Sequence, residues 1–374
     1  MIDVIIPVFR GLAATRRCID SVLAARCSTP HEVIAIDDRS PEPEISAWLS
    51  SLAASGRVTL IAHAANRGFV ASVNEGMALH ADRDVVLLNS DTEVADGWLD
   101  RIAACAAKNH AGTVTPFSSN ATICSYPRFC AKNVIPEGWT TASLDRLFAR
   151  ENEGGAVEIP TAVGFCMFIS RRLLDAIGAF DVETFGQGYG EEVDFCMRAR
   201  RAGYRNYLCA DTFVFHEGEV SFGNSGMDRR ARAQKIVDTR YPEFQPTLAE
   251  FLKREPARPF RRRVDIARLA ASPRPRVLLV AHSRRDKDEK RIHAAAAALA
   301  RDSEVLVLRA DGGNDIALEW LREGEEFEAR FDSASAWHDC IALLRSLGVA
   351  RVQMGDGDAL SAPMRSLAQA LGAS

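Results

Sequence analysis

Residues 84–96, DVVLLNSDTEVAD, decide how the rest of the chain is read. Val85, Val86, Leu87 and Leu88 form an uninterrupted apolar run, the pattern of a strand buried on both faces, and the run stops at the polar Asn89-Ser90-Asp91. In open α/β sheets ligands are met outside the carboxyl ends of the strands, so Asp91 stands where a metal ion or a phosphate would be held. The same three residues read equally well as a turn capping the next helix, because all three types favour turns. The flanking sequence has to separate the two readings.

Upstream, the alternation repeats. Residues 3–9 (DVIIPVF), 32–36 and 58–62 read as strands, followed by helices over 15–25, 44–54 and 70–79. The second strand closes on Asp37-Asp38-Arg39-Ser40. The third leads into Asn66-Arg67-Gly68-Phe69, where Gly68 permits close backbone approach and the next helix presents its N-terminus to an anion. Strands and helices at this spacing predict an α/β fold: a parallel, doubly wound sheet whose loops gather on one rim.

Downstream, a helix is expected over 98–108 and a strand over 112–115. The segment 116–158 is loop-rich around one helix, 142–151. An apolar strand, 161–170, and a helix, 171–177, precede a glycine-rich Gly186-Gln187-Gly188-Tyr189-Gly190. Glu191, Glu192 and Asp194 then open a helix over 193–202, and their plain reading is to complement its dipole. Extended stretches 206–209 and 212–215 deliver His216 to a polar end, HEGEVSFGNSG. A single histidine in that position is more often structural than a ligand. Residues 228–253 read as helical.

Composition sets the outer bounds. The chain has 374 residues, room for two domains, and a net charge of −4, which disfavours nucleic acid as a main partner. No run approaches the roughly 18 apolar residues of a membrane span. The start, MIDVIIPVF, enters a strand at once and lacks the basic and long apolar regions of a secretory signal. Nine cysteines without a CxxC pair suit reduced thiols in a cytoplasmic setting, not a disulfide framework or a zinc site. These observations divide the chain into a first domain over 1–250, a basic Pro/Arg-rich linker over 251–275, and a half-size βαβαβ unit over 276–374. In that unit strands are expected at 277–281, 304–309 and 349–354, helices at 289–300 and 337–347, and a helical turn near Leu318. The linker's basic face leaves peripheral contact with an anionic membrane open, although a solvated linker is the plainer reading.

Together, residues 1 to about 225 resemble the family 2 glycosyltransferases, and the resemblance implies the GT-A nucleotide-diphospho-sugar transferase fold. IIPVF at 5–9, with Pro7 and Phe9, is similar to that family's first strand beside the nucleotide base. DDRS at 37–40 is similar to its second acidic motif and implies a base-binding carboxylate, Asp37 first and Asp38 second. NRGFVASVNEG at 66–76 points to Asn66, Gly68 and Asn74 beside the nucleotide. LLNSD resembles the DXD motif, implying Asp91 as metal carboxylate with Ser90 beside the donor and Asn89 replacing the first acid, a variant familiar in rhamnosyltransferase-like members. EEVDFCMR at 191–198 resembles the segment whose second acid is the general base, here Glu192, flanked by Glu191 and Asp194. FVFHEG places His216 where metal-dependent members carry a histidine ligand, and in that context a ligand becomes its leading reading.

The resemblance implies an inverting transferase that uses Mn²⁺ or Mg²⁺ to move a sugar from a dTDP-, UDP- or GDP-sugar to a glycan or lipid-linked glycan. A nitrogen ligand favours Mn²⁺. Such an enzyme would be cytoplasmic, or peripheral to the inner face of the membrane; no oligomeric state follows. Residues 276–374 look like a partial GT-B-type Rossmann half, with Ser283-Arg284-Arg285-Asp286-Lys287-Asp288 where a glycine-rich phosphate loop would stand. Two competing functions are a sugar-phosphate nucleotidyltransferase, disfavoured by Arg10-Gly11-Leu12 after the first strand, and a catalytically silent nucleotide- or glycan-binding protein.

Overall fold

The computed structural model describes residues 1–186, 188–218, 226–281, 286–310, 316–322, 325–331, 335–354 and 366–373. The chain divides into two units, Met1–Phe260 and Arg261–Ser374.

The first unit runs β1 (Ile2–Val8), α1 (Leu12–Ala24), β2 (His31–Asp37), α2 (Pro43–Ala54), β3 (Thr59–Ala62), α3 (Phe69–Ala78), β4 (Asp84–Leu88) and a short β5 (Thr92–Glu93). It continues through α4 (Trp98–Asn109), β6 (Thr113–Phe117), α5 (Thr141–Glu151), β7 (Ala156–Ile159), β8 (Cys166–Ile169), α6 (Arg171–Ile177), α7 (Val182–Phe185) and α8 (Glu191–Arg201). The last elements are β9 (Asn206–Phe213), β10 (Phe215–His216), α9 (Gly226–Arg240) and α10 (Phe244–Arg254). Eight strands form one sheet in the order β3-β2-β1-β4-β8-β6-β9-β7.

The apolar run of β4 lies at the centre of that sheet, parallel to β1 and antiparallel to β8, so Val85–Leu88 are buried on both faces. Three departures from the expected elements matter. The sheet is mixed, because β8 runs antiparallel to β4 and β6, and β7 antiparallel to β9. The expected strand 161–170 is paired only over Cys166–Ile169; Val163, Gly164 and Phe165 instead line the cavity described below. The expected single helix over 228–253 is split at Tyr241-Pro242, since proline has no N–H to continue the ladder. Gly76 explains the end of the NRGFVASVNEG motif: a Cβ there would meet Ile5 Cγ2 at 2.7 Å, so α3 lies against β1 only with glycine at this position.

The second unit has its own five-stranded sheet, ordered β14-β13-β12-β11-β15, formed by β11 (Arg276–Ala281), β12 (Glu304–Ala310), β13 (Ile316–Arg322), β14 (Glu325–Phe331) and β15 (Val349–Met354). Its helices are α11 (Arg258–Ala271), α12 (Asp286–Leu299), α13 (Ala336–Ser346) and α14 (Leu367–Leu371). Strands β11, β12 and β15 are parallel as the crossover pattern requires, but the helical turn expected near Leu318 is strand β13, paired antiparallel with β12 and β14. Ile316, Leu318 and Trp320 are buried, as a strand's period of two requires, but Ala317 between them is buried as well and hides the alternation in a short window. The expected linker 251–275 is mostly helical. In α11, Leu269 belongs to the second unit's core, and the guanidinium of Arg268 lies 5.5 Å from the Trp320 ring centroid, so arginine stems cover apolar surface. The loop beginning at Ser283 and residues 311–313 lie outside the described residues as far as 285 and 315, as do Gln187 and the stretch 219–225.

Candidate functional site

In the first unit a cavity of about 900 Å³ opens at the carboxyl-end rim of the sheet. Pro7 and Phe9 from the end of β1, Asp38 after β2, Asn66 and Gly68 before α3, and Asn89, Ser90 and Asp91 after β4 all line it. Strand ends that are remote in sequence thus converge, as a parallel arrangement dictates.

Asp91 meets His216 across 125 residues of chain because the short strands β5 and β10 pair antiparallel, with His216 opposite Thr92. The His216 Nε2 lies 3.3 Å from Asp91 Oδ1 and 3.4 Å from Asn89 Nδ2. His216 Nδ1 lies 2.6 Å from the Asn120 carbonyl oxygen; a carbonyl only accepts, so Nδ1 carries a proton and Nε2 is the nitrogen turned to the carboxylate. Phe165 stacks on the imidazole with centroids 5.1 Å apart, and the Ser119 hydroxyl brackets the His216 backbone. Gly218 N–H donates to Asp91 Oδ2 at 2.9 Å. A Cβ at Gly218 would lie 1.9 Å from Asn120 Nδ2, which accounts for glycine after His216-Glu217. Burial alone would raise the Asp91 carboxyl, but the hydrogen bond and charge of His216, with the Gly218 N–H, outweigh it and hold the group below its ordinary value. The turn half of the alternative reading is realised, with the Thr92 hydroxyl donating to the Asn89 carbonyl at 2.8 Å, but the residues cap no helix: β5 follows at once and Gly97 stands at the N-cap of α4.

These donors suit a divalent cation. Two cis donors on an octahedral ion, each about 2.1 Å from it, stand roughly 3 Å apart. Asp91 Oδ1 and His216 Nε2 have that spacing, and the ring is already oriented by its other nitrogen, as metal-binding histidines are.

On the cavity wall, α8 begins at Glu191 after Tyr189 (φ 72°) and Gly190 (φ 89°). A Cβ at Gly190 would meet Phe185 Cε1 at 2.9 Å and Ala233 Cβ at 3.0 Å, so the helix start is packed down between α7 and α9. Glu191 and Glu192 both line the cavity, and the Oε2 atom of each is buried without a hydrogen-bond partner. Burial pushes both carboxyls up, Glu191 well above its ordinary value with the Glu192 charge as second cause. A desolvated carboxyl with one oxygen left without a partner has raised proton affinity, which is what a base at neutral pH requires.

Three residues singled out in the sequence lie elsewhere. Asp37 does not line the cavity: its oxygens accept from Ser40 N–H and the Ser46 hydroxyl, tying β2 to α2. Asp38 takes the cavity position, accepting from Arg67 and Gly68 N–H at 2.7 and 2.8 Å and from His63, and so shapes the 63–68 loop. Asn74 is a latch, its amide donating to the Phe180 carbonyl and accepting from the Phe180 N–H. Asp194 is a buried hub for Arg198, Arg240 and Tyr241. Asn74→Ala is therefore expected to cost about 1–3 kcal/mol of stability in chemical denaturation, while nucleotide affinity stays within about twofold; a large loss of affinity would restore it to the binding site.

The sequence reading missed Asn120, Phe165, Lys132, Arg229 and Arg230, all on the cavity wall. Ser118-Ser119-Asn120 carried a turn signal but nothing that tied it to His216. Asp3, Glu32 and His80 form a three-ligand cluster at the amino ends of β1 and β2, where Arg83 bridges Asp3 and Glu32 at 3.0 and 2.7 Å. The guanidinium makes it an ion-pair network.

Comparison with known proteins gives one family: residues 3–178 match Glycosyl transferase family 2. An uncharacterised protein of Sinorhizobium fredii is 25% identical over 250 residues, 64% of this chain and 27% of the relative. An uncharacterised protein of Mycobacterium tuberculosis is 26% identical over 188 residues, 50% of this chain and 64% of the relative. The chain thus spans less than two thirds of the length of either. The crystal structure of GalNAc-T7 with UDP, GalNAc and Mn²⁺ is similar in fold, with a TM-score of 0.50, 14% identity, and coverage of 88% of this chain and 67% of that one.

Proposed function

Taking as premise that residues 3–178 form a glycosyl transferase family 2 domain on a GT-A fold, we propose that the protein is an inverting, metal-dependent glycosyltransferase. It moves a sugar from a nucleotide diphosphate to a hydroxyl of a glycan or lipid-linked glycan. The observation that carries the reading is the conjunction, in one cavity, of Asp91 Oδ1 and His216 Nε2 at 3.3 Å with the Glu192 carboxyl, whose Oε2 has no partner.

Pro7, Phe9, Asp38, Asn66 and Gly68 form the nucleotide end, and Asp91 and His216 hold the cation. Mn²⁺ is favoured over Mg²⁺ by the nitrogen ligand. Asp91 and His216 would hold the ion, and its positive charge would be supplied where the diphosphate leaves. Glu192 accepts the proton of the acceptor hydroxyl as that oxygen attacks the anomeric carbon; the new glycosidic bond forms as the bond to the diphosphate breaks. One carboxylate base without a carboxylate nucleophile gives inversion. Among the described residues no helix is long and apolar enough to cross a membrane. We place the enzyme in the cytoplasm or peripheral to the inner face of the membrane.

A thermal-shift panel of TDP, UDP and GDP with and without Mn²⁺ tests the donor site, since a ligand bound only by the native state raises its apparent stability. One diphosphate is expected to raise Tm more with Mn²⁺ than without. If none does, the donor site is misassigned. If one does and yet no sugar nucleotide is hydrolysed or transferred, the silent binding protein is the correct reading.

A further inference from the structure

Glu191 is the one carboxyl on the cavity wall to which the reaction above gives no task. Its residue is 6% exposed, its Oε2 is buried without a hydrogen-bond partner, and its neighbour in sequence and in the cavity wall is the base Glu192. A carboxylate with a buried, unpartnered oxygen is costly, and a second one next to it in the chain is costlier still, because each charge repels the other. The helix N-terminus offsets one negative charge in its first turn, and Asp194, held by Arg198, Arg240 and Tyr241, is already there.

We propose that Glu191 is protonated beside an ionised Glu192, so that the pair of carboxyls carries one proton. The inference rests on the function assigned above and adds a positioning and hydrogen-bond-donating role within the same site. A protonated carboxyl is a donor, so Glu191 offers the site an O–H while Glu192 remains the acceptor for the incoming hydroxyl's proton. The arrangement divides two identical side chains into two roles by environment alone.

Other charged or titratable groups share this cavity: Asp38 after β2, Asp91 after β4, Lys132 in the 116–140 segment, Tyr189 before α8, His216 on β10, and Arg229 and Arg230 on α9. Burial is the larger cause of the raised proton affinity of Glu191, and the charge of Glu192 is the second. For stability the sign follows directly. The folded state binds a proton that the unfolded chain releases near pH 4.3, so stability falls as pH rises from there toward the folded value.

Three measurements on the full chain test this. Infrared difference spectroscopy at pH 7.5 is expected to show a protonated carboxyl C=O band in the wild type and in Glu192→Ala, and to lose it in Glu191→Gln. The Tm of Glu191→Gln minus that of the wild type is expected to grow between pH 5 and pH 9, because the amide cannot ionise. In transfer assays Glu191→Ala is expected to fall about 100-fold and Glu191→Gln to recover at least tenfold of that, with the alkaline limb of the wild-type pH profile absent from the Gln variant. An infrared band unaffected by Glu191→Gln, or a Tm difference that is flat with pH, overturns the proton placement. Both readings are made without turnover, so an inactive protein with an intact Glu191 band would sink the transferase assignment and leave the proton placement standing.

Discussion

Glu192→Gln is expected to lower the transfer rate by about 10²–10⁴-fold, the range that proton transfer by a positioned base contributes. The glutamine keeps the shape of the side chain at the start of α8 and cannot take a proton. Nucleotide and Mn²⁺ affinity, measured by titration calorimetry, should stay within about twofold, because Glu192 is a wall residue separate from Asp91 and His216. Rate without affinity is the signature of an interaction made only in the transition state. Equal turnover by the wild type and Glu192→Gln would transfer the base to Glu191, the other carboxyl with an unpartnered oxygen. Asp194→Asn serves as a contrast: its loss should appear first as lower stability, since Asp194 is 1% exposed and engaged by two arginines and a tyrosine.

The second large effect is at the cation site. Asp91→Asn is expected to abolish the Mn²⁺-dependent part of the nucleotide thermal shift and to reduce transfer at least about 10²–10³-fold. That range corresponds to several kcal/mol of charge stabilisation at 1.36 kcal/mol per decade. The effect is large because Asn89 stands where a second carboxylate would share the load, leaving Asp91 the acidic donor beside His216. The metal-free protein loses stability too. The Asp91 carboxyl lies below its ordinary value, so its contribution is present above about pH 4 and disappears as pH falls through the folded value. Tm increments on adding Mn²⁺, not absolute Tm values, are therefore the quantity to compare. A full Mn²⁺-dependent increment in Asp91→Asn would remove the cation from this position.

Particular residues show where sequence reading stops. The NRGFVASVNEG motif was recognisable as a unit, yet its residues divide three ways: Asn66 and Gly68 reach the cavity, Asn74 latches Phe180, and Gly76 lets α3 lie on Ile5. Asp37 and Asp38 are adjacent and chemically equal. Strand alternation sends one toward α2 and the other toward the 63–68 loop, so the order of preference between them was reversed by geometry. In the second unit, Ile316–Arg322 carried a period of two too short to separate from a helical turn until β12 and β14 were seen to flank it.

The amino-acid sequence by itself determined the alternation of buried strands and amphipathic helices, the polar stop at Asn89-Ser90-Asp91, and the acids opening α8. These are local properties, written in periodicity and in turn chemistry. Only the tertiary structure decided which of those residues share a space. Asp91 and His216 meet through a two-residue ribbon of backbone hydrogen bonds, and the Asn120 carbonyl orients the imidazole. The start of α8 packs at Gly190 against Phe185 of α7 and Ala233 of α9, and one oxygen each of Glu191 and Glu192 is left without a partner. Desolvation and distance are properties of packing between segments far apart in the chain, and they turned a strand followed by an ambiguous turn into one wall of a candidate donor site.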